Sequence, residues 1–450
     1  MSGLTCTGVG LVVLTAAGLA VKGMQKMQAR KLGRRSLSPV ARTQPPSALG
    51  SPVRVAVVVP AHNEAATIEQ TIRSCLHQTY PVAQLIVVAD NCTDATAALA
   101  RAAGATVIEG RGGSKAAAQN LALPHVVADL VVALDGDNIL DATAVAHLVA
   151  TMRAGHAGTC AAVLPKETTT IYSQYRTLYH ACSNGWTKKI QDTLGRQLVL
   201  NGMANCHRTD VLAAMGGFPD DSVTEDFNLT WALHRHGYPV AFTPEAFVYT
   251  QEPTSFRELI DQMHRWTAGF AQCMVTHRAP LVDFASFIVV SSLVGDALMG
   301  GLATLTFLPF LARHGVGACW RWWGWLWILI SAATIGVAIN QLGVRTTLRC
   351  LPGWLLLQTV TGPVTTWWLV QEWVLGRHLT TWTGRHGRKP TLTPMTTQRK
   401  AALATVATLA GVTALAMRRI KTHRVAQTPR AGRPICTGSR AGRARVAGTS

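Results

Sequence analysis

Four short apolar runs, each broken off by polar residues and followed by a helical pattern, constrain this chain more than any other feature. Val55 to Val59 runs into Pro60 and then Asn63, which can cap a helix carrying Ile68, Ile72 and Leu76 on one face. Leu85 to Ala89 stops at Asp90-Asn91-Cys92-Thr93-Asp94 before an Ala-rich helix. Ala105 to Ile108 is the third run, and Leu130 to Leu134 the fourth, ending in Asp135-Gly136-Asp137. Short runs without alternation are strands buried on both faces, so the expected core is an open α/β sheet covered by helices. Ligands of such sheets bind beyond the carboxyl ends of the strands, where polar residues collect here. A nucleotide site is the default expectation, although the G-x-G-x-x-G and Walker patterns are both missing.

Charge divides the chain into unlike parts. Of its 42 lysines and arginines, 19 lie beyond residue 300, where Glu372 is the only acid; eight more lie between Lys22 and Arg54, with no acid among them. Residues 55 to 300 carry 15 basic and 22 acidic side chains, so the central part is acidic despite a pI near 10.1. Basic residues flanking apolar segments follow the positive-inside pattern of membrane proteins. No basic and aromatic residues interleave on the central part, which argues against nucleic acid as a partner. The ten cysteines are scattered, without a C-x-x-C pair or zinc spacing, and read as reduced thiols.

These patterns give a domain plan. Residues 1–22 form an N-terminal transmembrane anchor, whose following cations at Lys22, Lys26, Arg30, Lys31, Arg34 and Arg35 fit an N-terminus outside; 23–53 are a basic linker. Residues 54–254 are the cytoplasmic catalytic domain. An amphipathic interfacial helix over 255–280 follows, opened by the capping box Ser255-Phe256-Arg257-Glu258, with Leu259, Met263, Trp266 and Phe270 at helical spacing. Residues 281–376 hold transmembrane helices, at about 284–311, 320–340 and 351–375, and Asp296 falls within the first of these. Ten of the thirteen tryptophans fall within 320–382, several near segment ends, as in an interfacial belt. A basic cytoplasmic segment (377–398), a transmembrane or interfacial helix (399–418) and a disordered basic tail (419–450) complete the plan. The number of crossings is open, because Gly362-Pro363 can break the last long segment into a re-entrant piece.

Chemistry concentrates in two places. Asp135-Gly136-Asp137 puts two carboxylates at the open end of a core strand, a geometry suited to a divalent cation against a diphosphate. Thr224-Glu225-Asp226 places a carboxylate pair behind a Thr cap at a helix start, and Gln262 to Trp266 lies on the amphipathic helix. Residues 155 to 223 are less regular, and their Lys166, Tyr172, Tyr175, Tyr179, Trp186 and Asn201-Gly202 suit a sugar-binding surface or ordinary packing equally. Glu225 by itself reads as an acid at the positive end of its helix, and Trp266 as an interfacial anchor.

Taken together, the motifs resemble the family-two inverting glycosyltransferases, in the membrane-embedded processive branch of cellulose, chitin, hyaluronan and poly-N-acetylglucosamine synthases. The resemblance covers about residues 54 to 280. It rests on Pro60-Ala61-His62-Asn63-Glu64, Asp90 to Asp94, Gly113-Ser114-Lys115-Ala116, Asp135-Gly136-Asp137, Gly216-Gly217-Phe218, Thr224-Glu225-Asp226 and Gln262-x-x-Arg265-Trp266. Trp382-Thr383-Gly384-Arg385 is similar to a segment that follows the membrane helices of hyaluronan-type synthases. The resemblance implies a GT-A-like nucleotide-sugar-binding α/β domain plus transmembrane α-helices, in a multi-pass plasma-membrane enzyme. It implies Glu64 and Asp90 at the uridine end, Lys115 and Asp135 on the nucleotide-sugar, Asp137 as ligand to Mg2+ or Mn2+, and Asp226 as general base. Gln262, Arg265 and Trp266 line the diphosphate and acceptor end. The implied reaction extends a polysaccharide from UDP-N-acetylglucosamine or UDP-glucose, coupled to export; the alternatives are single transfer to a lipid acceptor and, remotely, a non-catalytic membrane scaffold. Implied partners are a UDP-sugar, a growing glycan or lipid acceptor and membrane lipids.

Overall fold

The computed structural model describes residues 49, 51–277, 283–319, 321, 325–373, 375–379 and 392–394. The expected anchor at 1–22, the linker up to residue 48, the Trp382 segment, the helix at 399–418 and the tail lie outside the described residues, as does the side chain of Asp296.

The four apolar runs form β1 (Val55–Ala61), β2 (Gln84–Asp90), β3 (Thr106–Gly110) and β4 (Leu130–Leu134). They join β5 (Ile139–Leu140), β6 (Gly158–Pro165), β7 (Ala204–Arg208) and β8 (Val240–Thr250) in one eight-stranded sheet of order β3-β2-β1-β4-β7-β6-β8-β5. The first four strands are parallel, whereas β7 runs antiparallel to both β4 and β6, which makes the sheet mixed. This mixed sheet covered by helices is the kind of α/β domain that the resemblance implies.

Both faces of the sheet are covered, as non-alternating strands require. Val55, Val57 and Val59 of β1 pack with Ile68 and Ile72 of α1 (Ile68–Leu76), all fully buried. Val58 and Val88 face the other way. They join a cluster with Ala118 of α3 (Lys115–Ala122) and Leu229 of α8 (Glu225–Arg235). The remaining helices of the domain are α2 (Thr96–Ala102), α4 (Ala144–Arg153), α5 (Ile171–Cys182), α6 (Lys188–Thr193) and α7 (Thr209–Ala214). Then follow α9 (Phe256–His277), α10 (Phe284–Cys319), α11 (Trp325–Leu342) and α12 (Val344–Trp373).

Several expectations change. β1 continues through Pro60, which pairs with Val88 on the β2 side; the β4 ladder reaches only Val58, so the missing N–H of Pro60 interrupts no bond there. Asn63 does not cap α1. Its backbone is left-handed, φ 57°, and its side-chain oxygen accepts the Thr93 N–H at 2.8 Å, joining the loops after β1 and β2. Leu76 is 51 % exposed and lies off the buried face. Thr224 stands at the N-cap of α8, but its side chain makes no capping bond; its hydroxyl is buried against α9. In the capping box of α9, the Glu258 N–H reaches Ser255 Oγ at 3.3 Å, while the Glu258 carboxylate accepts from the Thr254 N–H instead of from Ser255.

The stretch 155 to 223 is regular after all, with β6, β7 and three helices. Among the described residues, no helix is long and apolar enough to cross a membrane. At the positions of the spans expected within 281–376 stand α10, α11 and α12.

Candidate active site

The register of β4 and β7 builds the centre of the site. Leu134 pairs with Ala204, so Asp135, leaving β4, and Gly202-Met203, entering β7, stand at the same sheet edge; the Asp135 N–H donates to the Met203 carbonyl at 3.3 Å. Lys115, at the start of α3, reaches over this edge. Its Nζ lies 2.6 Å from Asp135 Oδ1 and 2.8 Å from Glu225 Oε1, and donates to the Gly202 carbonyl at 3.1 Å. The α3 start is held by Ser114, whose hydroxyl oxygen accepts the Ala117 N–H and donates to Asp220. At its other end, the Asn120 amide bridges the N–H and carbonyl of Phe218, each at 2.8 Å.

Asp226 completes the cluster. Oδ2 accepts the Gly202 N–H at 2.8 Å and Oδ1 the Phe227 N–H at 2.8 Å. Burial, with the neighbouring Glu225 charge second, pushes its carboxyl up to about 6, against the opposing pull of Lys115. Burial likewise raises Asp135, which Lys115 only partly offsets. For Lys115, burial lowers the pKa, but Asp135, Glu225 and Asp226 outweigh it and keep the ammonium charged. Gly202 is what lets these groups meet. A Cβ there would lie 2.8 Å from Lys115 Nζ and 3.2 Å from both Asp226 Oδ2 and Glu225 Oε1.

Glu64 and Asp90 sit along the same edge, at the ends of β1 and β2. Glu64 Oε2 accepts the Thr67 hydroxyl at 3.0 Å, and a Cβ on Gly136 would lie 3.3 Å from Glu64 Cγ, so the β1 loop borders the Asp135-Gly136-Asp137 turn. Asp90 is buried. Its two oxygens accept the N–H groups of Gly112 and Gly113, which folds the loop before α3 onto the end of β2. The backbone at Asp137 is fixed by Lys166, whose Nζ donates to the Asp137 carbonyl at 2.7 Å.

Helix α9 brings the second group. Gly269 passes so close to Thr224 that a Cβ would lie 2.0 Å from the Thr224 hydroxyl oxygen. Arg265, Trp266 and Gln262 stand four, three and seven residues before Gly269, so they share the face that meets the start of α8. The side-chain oxygen of Gln262 is buried without a hydrogen-bond donor. Trp266 also has partners within the fold. The Arg176 guanidinium of α5 lies over its ring, and Tyr179 stacks beside it at 6.5 Å between centroids.

The structure thus gathers Lys115, Asp135 and Asp226 directly, sets Glu64, Asp90 and Asp137 along the same sheet edge, and places Gln262, Arg265 and Trp266 on the helix crossing α8. Glu225, Gly202 and Arg176 are site residues that sequence reasoning placed elsewhere or passed over. Glu225 was legible in part, since it adjoins Asp226; its partner Lys115 is 110 residues away and only the fold joins them.

An α/β domain with a cluster of acids at its strand ends has the architecture of a nucleotide-binding domain, and its sequence relatives narrow the class. Residues 52–269 match the family described as glycosyltransferase like family 2. This part of the chain is a glycosyltransferase family 2 domain. Poly-beta-1,6-N-acetyl-D-glucosamine synthase of Staphylococcus aureus strain COL is 26% identical over 246 residues, 50% of this chain and 59% of that protein. The Staphylococcus epidermidis enzyme of the same name is 24% identical over 250 residues, 53% and 58% respectively. The chain therefore spans under three-fifths of the length of these curated relatives. Among solved structures, a mannosyltransferase from Pyrobaculum calidifontis in complex with GDP-Man and Mn2+ is 19% identical, covering 80% of this chain and 96% of that one, with a TM-score of 0.46. Glucosyl-3-phosphoglycerate synthase from Mycobacterium tuberculosis, in complex with Mn2+, UDP and phosphoglyceric acid, is 19% identical over 50% of this chain and 79% of that one, with a TM-score of 0.37.

Proposed function

We propose that the protein is a membrane-bound inverting β-glycosyltransferase that extends a polysaccharide from a UDP-sugar and passes the product outward. The observation that carries this reading is the buried cluster at the strand ends, where Asp226 is fixed by the Gly202 and Phe227 N–H groups at 2.8 Å each, beside Lys115 with Asp135 and Glu225, at the helix end that α9 crosses. An inverting displacement needs one base to take the acceptor hydroxyl proton while the diphosphate leaves on the opposite side. Asp226 has that role. A base whose pKa lies near the working pH is mostly ionised and still holds the proton it gains. The names of the relatives favour N-acetylglucosamine over glucose as the sugar.

Asp90 and Glu64 hold the uridine end, with Lys115 and Asp135 on the nucleotide-sugar. The charge count then demands help. Lys115 is one cation among the carboxylates of Asp135, Glu225 and Asp226. A diphosphate entering beside them is repelled unless positive charge accompanies it. Arg265 supplies part of it, and Asp137 offers hard oxygen donors of the kind Mg2+ or Mn2+ takes. The described residues form no group of three protein ligands, but Mg2+ needs only one or two carboxylates when substrate phosphates complete its shell. When bound, such an ion neutralises the departing diphosphate. Gln262 and Trp266 line the acceptor end.

The basic flanks of the apolar segments support a membrane location with the catalytic domain on the cytoplasmic side. The test is to supply radiolabelled UDP-sugars one at a time to membranes carrying the full chain. UDP-N-acetylglucosamine is expected to give a polymer of many units together with UDP release. Single-sugar products attached to lipid would reject chain extension, and no UDP from any donor would reject the UDP-sugar reading.

A further inference from the structure

We propose that Tyr179 forms a second acceptor subsite, one sugar out from Trp266, and that Arg176 is the positioning residue that holds the two rings for a glycan. The inference rests on the reading above that Trp266 meets the acceptor. Trp266 lies three residues before Gly269, about 4.5 Å along α9 from the point where that helix touches Thr224 beside the acid cluster.

Arg176 is 2 % exposed and its guanidinium carbon lies 4.5 Å from the centroid of each ring, Tyr179 on its own helix and Trp266 on α9. The rings are near parallel, 25° apart. The guanidinium is fixed in turn. Its Nε donates to Glu252 Oε2 at 2.9 Å, and His180 Nε2 lies 3.2 Å from its Nη2 and 3.0 Å from Glu252 Oε1. Burial alone would raise Glu252, but Arg176 and His180 outweigh it and hold the carboxyl well below its usual range. The Thr250 hydroxyl also donates to Glu252, so one buried carboxylate ties the end of β8, just before α9, to the cation over the rings.

A buried ion pair is a poor source of stability compared with apolar packing of the same volume. What this one does contribute is orientation: a planar cation sets the planes of two aromatic side chains from different helices. Tyr179, unlike Arg176, keeps 42 % of its surface open. An open aromatic ring beside the acceptor end is suited to the C–H face of a pyranose, so the ligand class is a β-linked oligosaccharide at its second unit.

The test uses purified full chain in detergent with UDP-N-acetylglucosamine and β-linked acceptor oligosaccharides of one to four units. Tyr179→Ala is expected to raise the acceptor KM about 3- to 10-fold for two or more units. The one-unit acceptor, UDP affinity and acceptor-independent donor hydrolysis should stay as in the wild type. Tyr179→Phe keeps the ring and should restore length dependence. Arg176→Lys keeps the charge but not the plane, and should show the same length-selective loss as Tyr179→Ala. Loss that is equal for all acceptor lengths, or that extends to UDP affinity, overturns the subsite in favour of a packing role. With Trp266→Ala as control, an unchanged acceptor KM overturns the acceptor reading itself, whereas a raised KM there beside an unchanged Tyr179→Ala overturns the subsite alone.

Discussion

Asp226 shares its surroundings with two other carboxylates and one ammonium, and that imbalance sets both its chemistry and its cost. Because its carboxyl is raised, the base is ionised only above about pH 6, so kcat/KM should climb through that pH and flatten above it. Glu225 contributes to the raise, and Glu225→Gln should move the acid limb to lower pH, read from a full pH–rate profile. An unmoved limb would mean that another group controls it. The stability sign is the opposite of the activity sign. A carboxyl raised in the fold contributes stability below its unfolded value of 3.8 that is lost as pH rises through about 6. At pH 7.5 the ionised Asp226 is therefore a burden, but Asp226→Asn removes the charge while turning its NH2 toward one of the two N–H donors, so the melting temperature should change little while transfer falls by roughly two to four decades. UDP binding should survive. Thermal melting and polymer formation on one preparation check both halves, and near-normal synthesis would remove Asp226 from the chemistry.

At the scale of elements, the site depends on how closely α9 crosses the start of α8. Gly269 leaves no room for a methyl against Thr224, which explains why Thr224 is buried without making the capping bond its position suggests. Gly269→Ala should force the two helices apart, costing about 1–3 kcal/mol by overpacking. It should also depress acceptor transfer more than donor hydrolysis, since Arg265 and Trp266 move with α9 while Lys115 and Asp135 do not. Equal loss of both activities would mean that the contact serves only folding. The root of α9 is pinned separately, through Glu252 to Arg176. Farther along, the Gln272 amide donates to the Leu379 carbonyl at 2.9 Å and the Leu379 N–H to Glu372 at 3.0 Å. His264 stacks on Trp368 at 3.6 Å, so α12 clasps the same helix that presents Trp266.

For the molecule as a whole, two expectations concern what surrounds it. EDTA should abolish synthesis until Mg2+ or Mn2+ is restored, and Asp137→Ala should abolish it irrecoverably; full turnover in EDTA would remove the metal. The full chain should sediment with membranes and come off in detergent but not in alkaline carbonate. Recovery in the soluble fraction would contradict the membrane reading that its charge distribution supports.

The sequence alone determined the sheet's first four strands and the polar residues at their ends, because a strand buried on both faces has to be a continuous apolar run. Leu130 to Leu134 was placed to the residue for that reason. It also placed α8 and α9, whose apolar spacing and end signals are local. Its local readings of Asn63 and Thr224 as caps went astray, and its reading of Glu225 as a first-turn acid was incomplete, for one common reason. Each side chain is placed by a residue distant in sequence: Asn63 bonds to Thr93, Thr224 is packed against Gly269, and Glu225 pairs with Lys115. β6 and β7 escaped notice because their pairing within a mixed sheet follows from long-range register, not from any pattern within Gly158 to Arg208. Tertiary structure alone decided that Gly202 is the point where Lys115, Glu225 and Asp226 converge, since a missing side chain has a meaning only when its neighbours are known.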